Sequence, residues 1–130
     1  MKRLLDAAVE ARKNAYTPYS NFQVGAALLL KDGKIITGCN VENASYGLCN
    51  CAERTALFKA YSEGVKKDDI VAMSIAGNTD TPISPCGACR QVMAELLNKN
   101  TPVYLTNLKG DVKETSVEEL LPYSFSGSDL

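Results

Sequence analysis

The sequence predicts an α/β fold: one mixed sheet of about five strands with helices against its faces. Three observations carry this. Helical and strand-like periodicities alternate along the chain in the order α-β-β-α-β-α-β-β-α. Two strand-like runs flank Asp32-Gly33, a strong short-range hairpin signal. The run DIVAMSIAG is almost continuously apolar, as expected of a strand buried on both faces. At 130 residues, 45% hydrophobic and 22% charged, the chain has the size and composition of one globular domain, expected to occupy 1–130.

Taken in order, Leu4, Leu5, Ala8, Val9, Ala11 and Ala15 fall near one helical face, so 2–15 reads as an amphipathic helix ended by Thr17-Pro18-Tyr19-Ser20. FQVGAALLLK and KIITGCNV around Asp32-Gly33 give a hairpin over 22–40, read as having a two-residue turn. Alanines at 52, 56 and 60 give the next helix a small face that can sit close on a sheet, and Gly64 stops it. The buried strand covers 69–77. In SPCGACRQ, Ser84 is the expected helix cap and Pro85 the first helical residue, with Val92, Met93, Leu96 and Leu97 as the buried stripe. TPVYLTN and DVKET read as two short strands around Lys109-Gly110, and SVEELLP as a last helical turn.

Fourteen basic and fifteen acidic residues give a net charge of -1 without a basic run to track a phosphate backbone, so nucleic acid is not expected as a partner. No stretch approaches the roughly twenty apolar residues that span a bilayer, and the first residues lack the apolar core of a signal peptide. A cytoplasmic protein is expected, and its five cysteines read as thiols or metal ligands rather than disulfides.

The chemistry concentrates in CNCAERTALFKA and SPCGACRQ, in a chain with no histidine. Cys86 and Cys89 lie three apart at a helix start, the usual spacing for two thiolates on one tetrahedral zinc, and the positive end of the helix dipole favours their ionised form. Cys49 and Cys51 are the candidates to continue the set. Cys51 is the better one, because at the very start of its helix it can share an ion with Glu53 in the first turn. Three protein ligands and one open position characterise catalytic zinc, and Glu53 is then free to carry a proton. Arg54 can donate to a ligand sulfur and offset the charge of three thiolates. Two alternatives remain open on these residues alone: Cys49, Cys51, Cys86 and Cys89 closing a structural zinc site, or C-x-x-C acting as a redox pair.

C-A-E followed by P-C-G-A-C resembles the small cytidine deaminases, in the branch with cysteine where others carry histidine. The general zinc-deaminase signature includes a glutamate that is not a ligand. YTPYSNFQVGAAL, GCNVENASYGLCNCAERTALF, SPCGACRQV and EELLPYSF resemble the family in order and separation, covering most of the chain. The resemblance implies a three-layer cytidine deaminase-like fold, a mixed five-stranded sheet with helices on both faces. It also implies hydrolytic deamination of cytidine and deoxycytidine by a zinc-activated water, in pyrimidine salvage.

Residue by residue, the resemblance implies Cys51, Cys86 and Cys89 as ligands, Glu53 as the proton shuttle and Arg54 as the arginine that tempers thiolate charge. It implies Phe22 beside the base, Asn40 and Glu42 on the ribose hydroxyls, and a homotetramer in which Phe125 reaches a neighbouring subunit's site. Cys39 and Cys49 match no ligand. The rivals are a deaminase of another base-like substrate, such as a blasticidin-type or adenosine deaminase, and a non-catalytic zinc-binding module; GCNVENASY favours the nucleoside branch.

Overall fold

A computed structural model describes residues 1–130. The elements run α1 (Lys2–Ala11), β1 (Val24–Leu30), β2 (Ile35–Cys39), α2 (Ala52–Ser62), β3 (Ile70–Gly77), α3 (Gly87–Leu96), β4 (Pro102–Asn107), β5 (Val112–Ser116) and α4 (Val117–Leu120). This is the order expected from the sequence. The first helix tightens into a 3₁₀ turn at Arg12–Asn14 rather than continuing as α-helix.

The sheet order is β2-β1-β3-β4-β5. Every pairing is antiparallel except β3 with β4, whose connection carries α3. Period-two alternation sends Ala26, Leu28, Leu30, Met73 and Ile75 into the larger core with Ala52, Ala56, Leu57 and Met93 of α2 and α3. The opposite pleat sends Ala27, Ala72 and Ala76 against Leu4 and Ala8 of α1. Helices therefore cover both faces, giving three layers. A bulge after Leu29 pairs Leu29 with Ala72 but Leu30 with Ile70, which leaves Val71 exposed.

The hairpin departs from the expected two-residue turn. Leu30 N–H donates to the Lys34 carbonyl and Gly33 N–H to the Leu30 carbonyl, so Lys31, Asp32 and Gly33 all lie in the loop. Gly33 has φ +92, the left-handed conformation that closes such a loop with a bulge. Gly64, at φ +89, ends α2 as expected, with Val65 N–H bonded back to the Ala60 carbonyl.

The placement of α2 depends on missing side chains. A Cβ on Gly38 would lie 2.4 Å from the Ala56 nitrogen and 2.8 Å from the Ala52 oxygen. The alanine face of α2 thus rests directly on the β2 backbone. That contact fixes where the N-terminus of α2, and with it Cys51, stands relative to the sheet edge.

Candidate active site

Two helices begin at the same place. Cys51 is the N-cap of α2 and Cys86 the N-cap of α3, both with extended backbone. The Cys86 sulfur accepts from Cys89 N–H at 3.5 Å. A sulfur, not the expected Ser84 hydroxyl, therefore caps α3, and Pro85 lies just outside the helix rather than at its first position. Arg90 holds this entry segment, donating from Nε to the Pro85 carbonyl (2.9 Å) and from Nη1 to the Leu120 carbonyl (2.8 Å).

The sulfurs of Cys51, Cys86 and Cys89 lie within 4.8 Å of one another. Those of Cys51 and Cys86 are 3.8 Å apart. Tetrahedral zinc with Zn–S bonds of about 2.3 Å requires sulfurs roughly 3.8 Å apart, so this donor set fits zinc without rebuilding either helix. Cys49 is engaged elsewhere, its sulfur accepting from Asn43 N–H. Arg54 Nη2 donates to the Cys51 sulfur at 3.4 Å, the contact expected from the sequence. Bonding from the Cys89 thiol, then from Arg54, draws the Cys51 thiol down, while the same Cys51–Cys89 pairing and burial push Cys89 up.

Glu53, in the first turn of α2, is 4% exposed. Burial, reinforced by the negative charge on Cys51, pushes its carboxyl up to about 7. It opens with Cys51 and Cys86 into a cleft of about 210 Å³, lined also by Phe22, Val24, Asn40, Ile83 and Ser84. A larger depression of about 660 Å³ lies elsewhere, between Arg3, Lys31, Asp69 and Glu63, and none of the sulfur cluster faces it.

Phe22 reaches the cleft where β3 ends: a Cβ on Gly77 would lie 2.6 Å from Ile83 Cδ1 and 3.5 Å from Phe22 Cζ. Asn40 braces the same loop, its Nδ2 donating to the Phe22 carbonyl (2.9 Å) and its Oδ1 accepting from Val24 N–H (2.8 Å). The Glu42 carboxylate does not line the cleft. It accepts from Tyr19 N–H, Ser20 N–H and the Ser20 hydroxyl. Phe125 is not brought to the cleft of its own chain: it is 58% exposed, and its carbonyl accepts from Gln91 Nε2 at 3.1 Å. Ile83, the place of Ser84 in the cleft lining and the bracing role of Arg90 escaped sequence reasoning. Only Arg90, four residues beyond Cys86 and so on its side of the helix, left a trace there.

The family model for the cytidine and deoxycytidylate deaminase zinc-binding region matches residues 1–105. This chain belongs to that family. A cytidine deaminase of Halalkalibacterium halodurans is 61% identical over 127 residues, 98% of this chain and 95% of that protein. A cytidine deaminase of Sporosarcina psychrophila is 55% identical over 130 residues, 100% of this chain and 94% of the relative. The crystal structure of cytidine deaminase from Burkholderia pseudomallei superposes with a TM-score of 0.93 at 58% identity, covering 95% of this chain and 98% of that one. Membership in the deaminase family, together with the fit of the sulfur cluster, makes zinc the cofactor. No helix is long and apolar enough to cross a membrane.

Proposed function

We propose that this chain hydrolyses cytidine and deoxycytidine to uridine and deoxyuridine, releasing ammonia, with zinc held by Cys51, Cys86 and Cys89. The observation that carries this reading is Glu53: a buried carboxyl raised to about 7, in the same cleft as the sulfurs of Cys51 and Cys86. Relatives named cytidine deaminase over nearly their full length support the substrate.

Zinc, when bound, lowers the pKa of a coordinated water to near 7 and so supplies a nucleophile at neutral pH. Glu53 takes the proton of the attacking water and gives it to the ring nitrogen beside the reacting carbon. It then carries the second proton to the amino group, which leaves as ammonia. A carboxyl near 7 is suited to both directions of transfer at neutral pH. Arg54 withdraws charge from the Cys51 sulfur, and the two helix N-termini act in the same sense. Phe22 offers a ring face to the flat base, while Asn40 and Glu42 serve the sugar hydroxyls.

The working form is a homotetramer whose sites are completed between subunits, Phe125 reaching a neighbour's base. Exposure of Phe125, Tyr46, Leu48 and Phe58, at 58%, 75%, 69% and 47%, supports burial against other copies. The setting is cytoplasmic pyrimidine salvage. Phe125→Ala is expected to raise KM more than it lowers kcat, and an active monomer at assay concentration, seen by light scattering, contradicts the shared site.

An ultraviolet assay with cytidine, deoxycytidine, adenosine and cytidine monophosphate tests the substrate. Loss of cytosine absorbance is expected for the two free pyrimidine nucleosides. Turnover of the monophosphate is expected to be far slower, because no lysine or arginine lines the cleft. Deamination of adenosine alone, or of none of the four, would overturn the reading.

A further inference from the structure

The loop between α1 and β1 brings Phe22 to the cleft, and one hydroxyl within it connects Phe22 to Glu42. Ser20 Oγ donates to Glu42 Oε2 and accepts from Phe22 N–H at 3.0 Å. It is the only side chain hydrogen-bonded to both residues. Glu42 Oε1 accepts from Tyr19 N–H (3.0 Å) and Ser20 N–H (3.1 Å), so the loop takes up both carboxylate oxygens. Between Ser20 and Phe22 the backbone passes through the left-handed region at Asn21, φ 56, a conformation that costs a non-glycine residue energy and must be held by its surroundings. Asn21 N–H to the Thr17 carbonyl (2.9 Å) and the Ser20 hydroxyl supply that hold.

We infer that Ser20 is a positioning residue that couples sugar recognition by Glu42 to the placement of Phe22 against the base, an inference that rests on the nucleoside reading above. A hydroxyl has one proton to donate and two lone pairs. Its single proton goes to Glu42 and one lone pair to Phe22 N–H, so a shift of the carboxylate toward an arriving sugar hydroxyl moves the oxygen that orients Phe22. Through Glu42, 22 residues from Ser20 in sequence, the sugar end of the ligand thereby tunes the loop. The coupling acts on binding and leaves the proton transfers at Glu53 untouched.

Steady-state kinetics with cytidine test this on the zinc-loaded protein. Ser20→Ala is expected to raise KM about fivefold to tenfold, the loss of ordinary hydrogen bonds, with kcat within about twofold of the parent. Ser20→Thr keeps the hydroxyl and is expected to restore KM to within about twofold. In a double-mutant cycle, the KM effects of Glu42→Gln and Phe22→Ala are expected to be non-additive by about threefold or more in the parent and additive in the Ser20→Ala background. An unchanged KM in Ser20→Ala, a loss confined to kcat, or coupling that persists without the hydroxyl would overturn the inference alone. A parent chain inactive on cytidine would overturn the nucleoside reading and this inference with it.

Discussion

The sulfurs of Cys51 and Cys86 lie 3.8 Å apart although 35 residues separate them along the chain. Each caps a different helix, so the packing of α2 and α3 on the sheet sets their separation before any cation arrives. Cys51→Ser, Cys86→Ser and Cys89→Ser are each expected to lose zinc, while Cys39→Ser and Cys49→Ser keep one ion per chain. Metal analysis of the five purified variants checks this. Equal loss in Cys49→Ser and Cys51→Ser would break the ligand assignment.

Arg54 reaches the same sulfur from one turn along α2. Arg54→Gln removes the charge that offsets the thiolates, and outer partners of metal ligands typically matter about 10–100-fold. A fall of that size in kcat, with zinc content unchanged, is the expected outcome. A kcat within about twofold of the parent would leave Arg54 with a packing role only.

Gly38 permits the close seat of α2 on β2. In Gly38→Ala the new methyl meets backbone, not a flexible side chain, at 2.4 Å from Ala56 N, so the helix itself must shift. Overpacking of this kind typically costs about 1–3 kcal/mol. Urea unfolding should show a lower midpoint, accompanied by weaker zinc retention because Cys51 moves with α2. A parent-like midpoint would mean that the helix can retreat freely.

Glu42 gives stability a pH dependence. Its carboxyl is held below the ordinary 4.5, chiefly by the Ser20 hydroxyl and then by the N–H groups of Ser20 and Tyr19. A lowered folded pKa means that the folded state favours the carboxylate. The contribution is fully present above about pH 4.5 and is lost as pH falls through the lower folded value. Glu42→Gln should therefore unfold more easily than the parent at pH 7, with the two converging in acid. A constant gap down to low pH would show that the ionised form is not what holds the loop.

Periodicity made the element order, the mixed sheet with helices against its faces and the seat of α2 legible, because apolar spacing and the alanine face are local properties of the chain. The start of α2 at Cys51 was required by a different argument, that Cys51 and Glu53 share one ion, and the structure places Cys51 at the N-cap. Two local readings failed on chemistry that several geometries share. A glycine at positive φ suits both a two-residue turn and the loop of Lys31, Asp32 and Gly33, and only the cross-strand register distinguishes them. Serine is an ordinary helix cap, so Ser84 looked suitable, yet convergence with Cys51 puts the Cys86 sulfur in that place. The bond between Ser20 and Glu42 could not be read at all, since it depends on how the loop after α1 folds back on the strand end.

The measurement that bears most directly on the central claim is turnover of cytidine by zinc-loaded Glu53→Gln. Glutamine keeps the size of the buried side chain but cannot carry a proton. The expected result is one zinc per chain and a kcat lower by at least about 10²–10⁴-fold, the usual contribution of a general acid–base. A variant with full zinc and more than about a tenth of the parent kcat would contradict the assignment of proton transfer to Glu53.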